Sequence, residues 1–237
     1  MYSVSELLKD LSQGELRNLS MAKDGMGTLA VKDQPMTILY ANDALKELYS
    51  KYLIKEKSLY ISMLETITHY HLREQMAANY TPVDEEDDEP IRYIMDLSDE
   101  PFTGDVIKVL RVYSTTGDEL PLNDLNDLYS VFTPEPLVLQ VNDPVTDAII
   151  NVVYQAKHPI LSGSSDEAIE LPDVLHPALR AYVAFRVYAG MNTKDSRGAA
   201  ADNLALYNRL CDIAREGDLV STSTSTQNSR FSARGWR

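Results

Sequence analysis

A single cysteine, Cys211, excludes a disulfide framework, and its helical neighbours Leu210, Ile213 and Ala214 read as the surroundings of a buried thiol rather than of a nucleophile. No histidine stands in the sequence where it would activate that thiol. No run of eighteen apolar residues occurs, and the opening Met1-Tyr-Ser-Val-Ser-Glu6 lacks the basic and apolar regions of a signal peptide. These absences predict a soluble protein made in the cytoplasm, with no membrane partner. A Gly-rich phosphate loop, a GxSxG elbow and an HExxH pair are all missing. Histidine is scarce as well. His69 and His71 are two apart, on one face if they lie in a strand, but no cysteine or third histidine stands at metal-ligand spacing. His158 and His176 each precede a proline, which marks segment boundaries better than an acid–base pair. The acidic run Asp84 to Glu89 has oxygen ligands but neither the spacing nor the turn glycine of an EF-hand loop, and reads as a solvated loop. The expectation is no catalysis, no cofactor and no metal.

Positive charge is missing from the middle of the chain. The net charge is -14, and Thr81 to Glu135 alone carries fifteen acids against Arg92, Lys108 and Arg111. The remainder is close to neutral. A chain this acidic is a poor candidate to grip nucleic acid, because lysines and arginines supply most of that affinity by neutralising phosphates.

With 237 residues, 44% of them hydrophobic, the chain can fill one core, or one core and a satellite module. Leu7, Leu8, Leu11, Leu16 and Leu19 fall at near-helical spacing with Ser5 as a candidate cap, although Gly14 weakens a single long helix. Lys23 to Gln34 reads as a loop. Thr37 to Leu53 predicts an amphipathic helix that buries Ile38, Ala41, Leu45, Leu48, Tyr49 and Tyr52. Ser58 to His71 suits a strand, while Leu72 to Asn79 fits either state. Ile91 to Met95, Asp105 to Tyr113, the turn Thr115 to Asp118, Glu119 to Asn123, Leu137 to Val141 and Ala148 to Gln155 read as strands and a turn, with Thr133-Pro-Glu-Pro136 as punctuation.

Helical spacing returns after Leu171-Pro172. Pro177 suits a first turn, Ala178 to Met191 makes a helix, and Ser196 to Glu216 makes another with two apolar stripes. Leu204, Tyr207, Cys211 and Ala214 form one stripe, and Leu206, Leu210 and Ile213 the second. Such a helix must bury both, within its own fold or against another copy. Tyr182, Tyr188 and Tyr207 serve equally as core residues or as interface rings with a reachable hydroxyl. The fold class predicted is α+β: an α-helical bundle from the N- and C-terminal segments, a central β-rich insertion and an extended C-terminal arm. The divisions fall at 1–55, 56–165, 166–216 and 217–237.

The arm is the most informative stretch. Ser221 to Ser229 is a polar Ser/Thr run that reaches roughly 30–35 Å with Val220 when extended. It ends in Arg230, Phe231, Arg234, Trp236 and Arg237, residue types that dominate binding hot spots. The segment reads as a tether carrying an anchor, or equally as a frayed terminus.

The series Leu171-Pro172-Asp-Val-Leu175-His176-Pro177-Ala178-Leu179, then Tyr182-Val-Ala184, Arg186-Val-Tyr188 and Asn203-Leu-Ala-Leu-Tyr207, resembles the head-to-tail adaptor (connector) proteins of tailed bacteriophages. The resemblance is strongest over Leu171 to Arg237, and the acidic β insertion is the main departure from it. It implies a structural virion protein at the head–tail junction. Twelve copies would form a ring under the portal protein, with a tail nozzle, tail-tube protein or tail fibres below. DNA would pass through without specific binding. The arm, through Arg230, Phe231, Arg234, Trp236 and Arg237, would enter a portal groove. Alternatives are another tail component, such as a nozzle or tail-tube subunit, an enzyme with a carboxylate or metal site in the acidic module, or a monomeric regulatory protein that uses the tail as a peptide ligand.

Overall fold

The computed structural model describes residues 2–23, 27–80, 91–95, 101–191 and 193–220. The fold is α+β, with helices and antiparallel sheets. Its contacts group into two units. Among the described residues the first draws on 2–40, 52–54 and 168–220, and the second on 41–51 and 55–167.

The first unit is helical. Helix α1 (Val4–Gln13) is capped by Ser3 rather than by Ser5. The reason lies three residues on, where the Ser3 amide donates to Glu6 Oε2 at 2.8 Å and Ser3 Oγ accepts the Glu6 amide at 3.3 Å, closing a capping box that Ser5 has no partner to make. The helix buries Val4, Leu7, Leu8 and Leu11 and ends at Gly14, where an added Cβ would lie 2.9 Å from the Asp10 carbonyl oxygen. Leu16 and Leu19 therefore lie beyond it, in a turn and at the entry to the one-turn α2 (Ser20–Lys23). Helix α3 (Gln34–Lys51) begins before the proline at position 35 and contributes its first two turns to this unit.

The C-terminal helices complete it. Helix α4 (His176–Gly190) carries Pro177 in its first turn, where the missing N–H costs nothing, and buries Leu179, Val183 and Val187 among small alanines. Helix α5 (Lys194–Glu216) is capped by Thr193, whose side chain accepts the Ser196 amide at 3.1 Å. Tyr182 of α4 meets Tyr207 of α5 edge to face, with ring centroids 5.2 Å apart. The Tyr52 hydroxyl donates to the Cys211 carbonyl at 2.6 Å, and the Tyr188 hydroxyl to the Glu15 carbonyl at 3.0 Å. Ser3 bridges Ala168, and the Ile169 amide donates to the Tyr2 carbonyl at 2.8 Å, which sews the N-terminus to the chain entering α4.

The second unit is built on two antiparallel sheets. Strands β1 (Glu56–Ser62), β2 (His69–His71), β3 (Ile94–Met95), β4 (Val106–Tyr113), β5 (Glu119–Leu120), β6 (Val131–Glu135), β7 (Val138–Val141) and β8 (Ile149–Ala156) form a five-stranded sheet of order β3-β1-β8-β4-β5 and a three-stranded sheet of order β2-β7-β6. Ser58 to His71 is thus two strands in different sheets, separated by a turn. Strand β8 is central: Ile150, Val152, Tyr154 and Ala156 alternate into the core. Strand β4 departs from alternation, because two register shifts against β8 bring Val106, Val109 and Val112 inward at every third position. The segment read as punctuation, Thr133-Pro-Glu, belongs to β6. Its place at a sheet edge explains how Pro134 is accommodated, since an edge strand has amides that need not join a ladder. One apolar core joins both sheets, with Tyr70 and Leu139 from the smaller and Leu59, Ile61 and Val152 from the larger.

Candidate docking surfaces

Helix α5 carries the two apolar stripes its sequence predicts, and their fates differ. Tyr207, Cys211 and Ala214 are buried within the helical unit. Leu206 and Ile213 remain 42% and 47% exposed, with Leu210 half-buried between them. The spacing of four and three places this second stripe along one face of the helix. A second exposed set in the same unit comprises Val31, Met36 and Leu39, just before and on the first turns of α3.

The end of α5 is closed by a Schellman turn. The Leu219 amide donates to the Ala214 carbonyl at 3.0 Å and the Asp218 amide to the Arg215 carbonyl at 3.1 Å, with Asp218 in the left-handed region at φ 50. Val220, directly after it, is buried. The predicted arm residues Arg230, Phe231, Arg234, Trp236 and Arg237 lie outside the described residues, as does the acidic run Asp84 to Glu89.

Charge within the helical unit centres on Arg180. Its Nη1 lies 3.0 Å from Asp10 Oδ2 and its Nε 3.3 Å from Glu15 Oε1, while the Tyr2 hydroxyl donates to Asp10 Oδ2 at 3.0 Å. Glu15 Oε2 is buried without a hydrogen-bond partner. Burial, with the Asp10 charge adding to it, pushes the Tyr2 hydroxyl far above the ordinary tyrosine range. Tyr52 is pushed up to about 12, first by burial and then by its bond to Cys211. Both stay neutral hydroxyls that hold structure together. The Glu6 carboxyl is held below its ordinary value by the Ser3 amide and hydroxyl.

Two of the histidines pack against tyrosine rings. His176 stacks on Tyr2 at a centroid separation of 4.1 Å, and His158 meets Tyr49 edge to face at 5.4 Å. His69 and His71 share β2. Among the described residues no group of three or more His, Cys, Asp or Glu is placed to hold a metal ion. Likewise no helix there is long and apolar enough to cross a membrane. Cys211 is buried and free.

Residues 24–230 match the protein family described as SU10 adaptor protein. No curated protein matches the chain.

Proposed function

The chain belongs to the SU10 adaptor protein family, a family of structural bacteriophage head-to-tail adaptors, and from this premise we propose that it closes a ring beneath the portal and joins capsid to tail. The observation that carries the ring is the uncovered stripe of α5, Leu206, Leu210 and Ile213, beside a stripe that the fold does cover. A cyclic ring is built from heterologous contacts, so each copy needs two unlike faces. Val31, Met36 and Leu39 supply the second. In this reading the helical termini form a bundle that packs side by side with its neighbours, twelve copies in all, to match the portal.

The arm, 217–237, is the portal ligand. It leaves the fold at a fixed point, because Val220 is seated and the Schellman turn before it sets the exit. Phe231 and Trp236 enter apolar pockets of the portal, and Arg230, Arg234 and Arg237 pair with its carboxylates or carbonyls. Arms linked through one ring multiply modest contacts into a durable joint. The other face of the ring meets a nozzle, tail-tube or fibre protein. The acidity of residues 56–165 keeps exiting DNA from sticking, since like charge repels phosphate.

The test is a deletion of 221–237 with purified portal rings of the same phage as probe. The truncated chain should remain folded by circular dichroism yet leave the rings bare in negative-stain images, where the full chain decorates them. Decoration by the truncated chain would refute the arm's role.

A further inference from the structure

Between β5 and β6 the chain makes a loop that leaves three large apolar side chains in solvent, while Leu122 at its start packs against the core. Leu125, Leu128 and Tyr129 are 88%, 91% and 80% exposed. Fraying does not account for this, because the loop is tied to itself. At its base the Val131 amide donates to the Pro121 carbonyl and the Asn123 amide to the Val131 carbonyl, each at 2.9 Å, and Asn123 Nδ2 donates to Thr133 Oγ1 at 2.9 Å. Within it the Asn126 amide donates to Asp124 Oδ1 at 2.9 Å and the Tyr129 amide to Asp127 Oδ1 at 2.8 Å. Ser130 is buried underneath, accepting the Asp124 amide at 2.9 Å. Two successive side-chain-bonded turns thus hold a small backbone platform. Three large apolar side chains on a bonded platform cannot be hidden by a local rearrangement. Clustered exposure of this kind marks a contact surface.

Charge decides what covers it. From Val112 to Ala156 the sequence has seven carboxylates and no lysine, arginine or histidine. Asp124 directly precedes Leu125 and Asp127 directly precedes Leu128, so whatever buries Leu125, Leu128 and Tyr129 must approach two carboxylates that have no cation of their own chain segment beside them. Nucleic acid and anionic membrane are repelled by such a surface. The same acidic segment on a second copy is repelled too. We propose that the loop 123–130 is a plug for a different protein of the particle, one presenting an apolar pocket rimmed by lysine or arginine. Tyr129 and Leu128 fill the pocket, and Asp124 and Asp127 meet the rim and set register, as charge complementarity commonly does. This inference rests on the chain's place in the particle, but on neither the portal arm nor the α5 stripe.

The test uses the full chain in assembled particles. A photoreactive benzoylphenylalanine replaces Tyr129, with the same replacement of Leu128 as a second placement should the first fail to assemble. After irradiation, mass spectrometry should find an adduct with a polypeptide other than this chain, on a segment with lysine or arginine nearby. Adding Asp124→Asn and Asp127→Asn keeps the amide-accepting oxygens that form the turns and removes only charge. That pair should lower adduct yield by about fivefold or more, because rim charges govern encounter. Absence of an adduct from both placements, an adduct only with a second copy, including its Arg230 to Arg237 segment, or a yield unchanged by the two asparagines would each overturn the proposal.

Discussion

Tyr182 and Tyr207 meet edge to face in the helical unit, their planes 70° apart, and this pair locks α4 to α5 on the stripe that the fold itself buries. Tyr207 is among the largest fully buried side chains of the protein. Replacing it by alanine removes a ring from a packed site that can collapse only in part. Tyr207→Ala should cost roughly 3–5 kcal/mol of stability, the range for deleting a large aromatic from a core, read as a lower midpoint in chemical denaturation.

The opposite stripe of α5 should behave differently. Leu206→Glu with Ile213→Glu places two good helix formers where the free chain already meets solvent. Stability of the free chain should change by less than about 1 kcal/mol, as expected for exposed positions. Assembly into rings on the portal should be lost, seen as bare portal rings in negative-stain images. A double variant that still assembles would separate this stripe from the ring contact.

Arg180 holds two acidic side chains from one short stretch, Asp10 at the end of α1 and Glu15 just past it. Arg180→Met keeps an apolar stem but leaves Glu15 with neither oxygen paired to a cation. A loss of roughly 1–3 kcal/mol is expected, the range for hydrogen bonds to charged groups that are left unmet. Denaturation midpoints of Arg180→Met, Glu15→Gln and the double variant should show coupling, with the double variant less impaired than the sum of the two.

Glu6 gives a pH signature. Its folded pKa lies below the ordinary 4.5 because the Ser3 amide and hydroxyl bind the ionised form. A depressed carboxyl contributes stability that is present above its unfolded value and is lost as pH falls through the folded one. A carbon-detected NMR titration of Glu6 should therefore show a midpoint below 4.5, moving up toward it in Ser3→Ala. That variant should also lose about 1 kcal/mol through the missing cap.

Much of the helical unit is legible in the sequence because its signals are local. Pro177 marks a first turn, and the 3.6-residue spacing of Tyr207, Cys211 and Ala214 marks a buried face. The cap of α1 was legible too, since Ser3 with Glu6 is a Ser-x-x-Glu box, but Ser5 competes when only the apolar run is considered. The β unit hides more. Strand β4 buries every third residue because of pairing shifts against β8, a non-local cause that its own alternation conceals. Pro134 disguises β6 as a break, since only the sheet order reveals an edge. Periodicity passes over Leu125, Leu128 and Tyr129, for their exposure is set by two aspartate-bonded turns rather than by any repeat. Of the candidate site, α5 with its two stripes could be read in advance and is placed here, whereas Arg230, Phe231, Arg234, Trp236 and Arg237 fall outside the described residues.

The seating of Val220 has a mechanical corollary. Tension applied to the chain beyond it must first extract that side chain, and only then unwind the turn in which Leu219 and Asp218 grip the carbonyls of Ala214 and Arg215. Load would reach the long axis of α5 last. A chain rooted this way can be tugged repeatedly while the helix before it keeps its pitch.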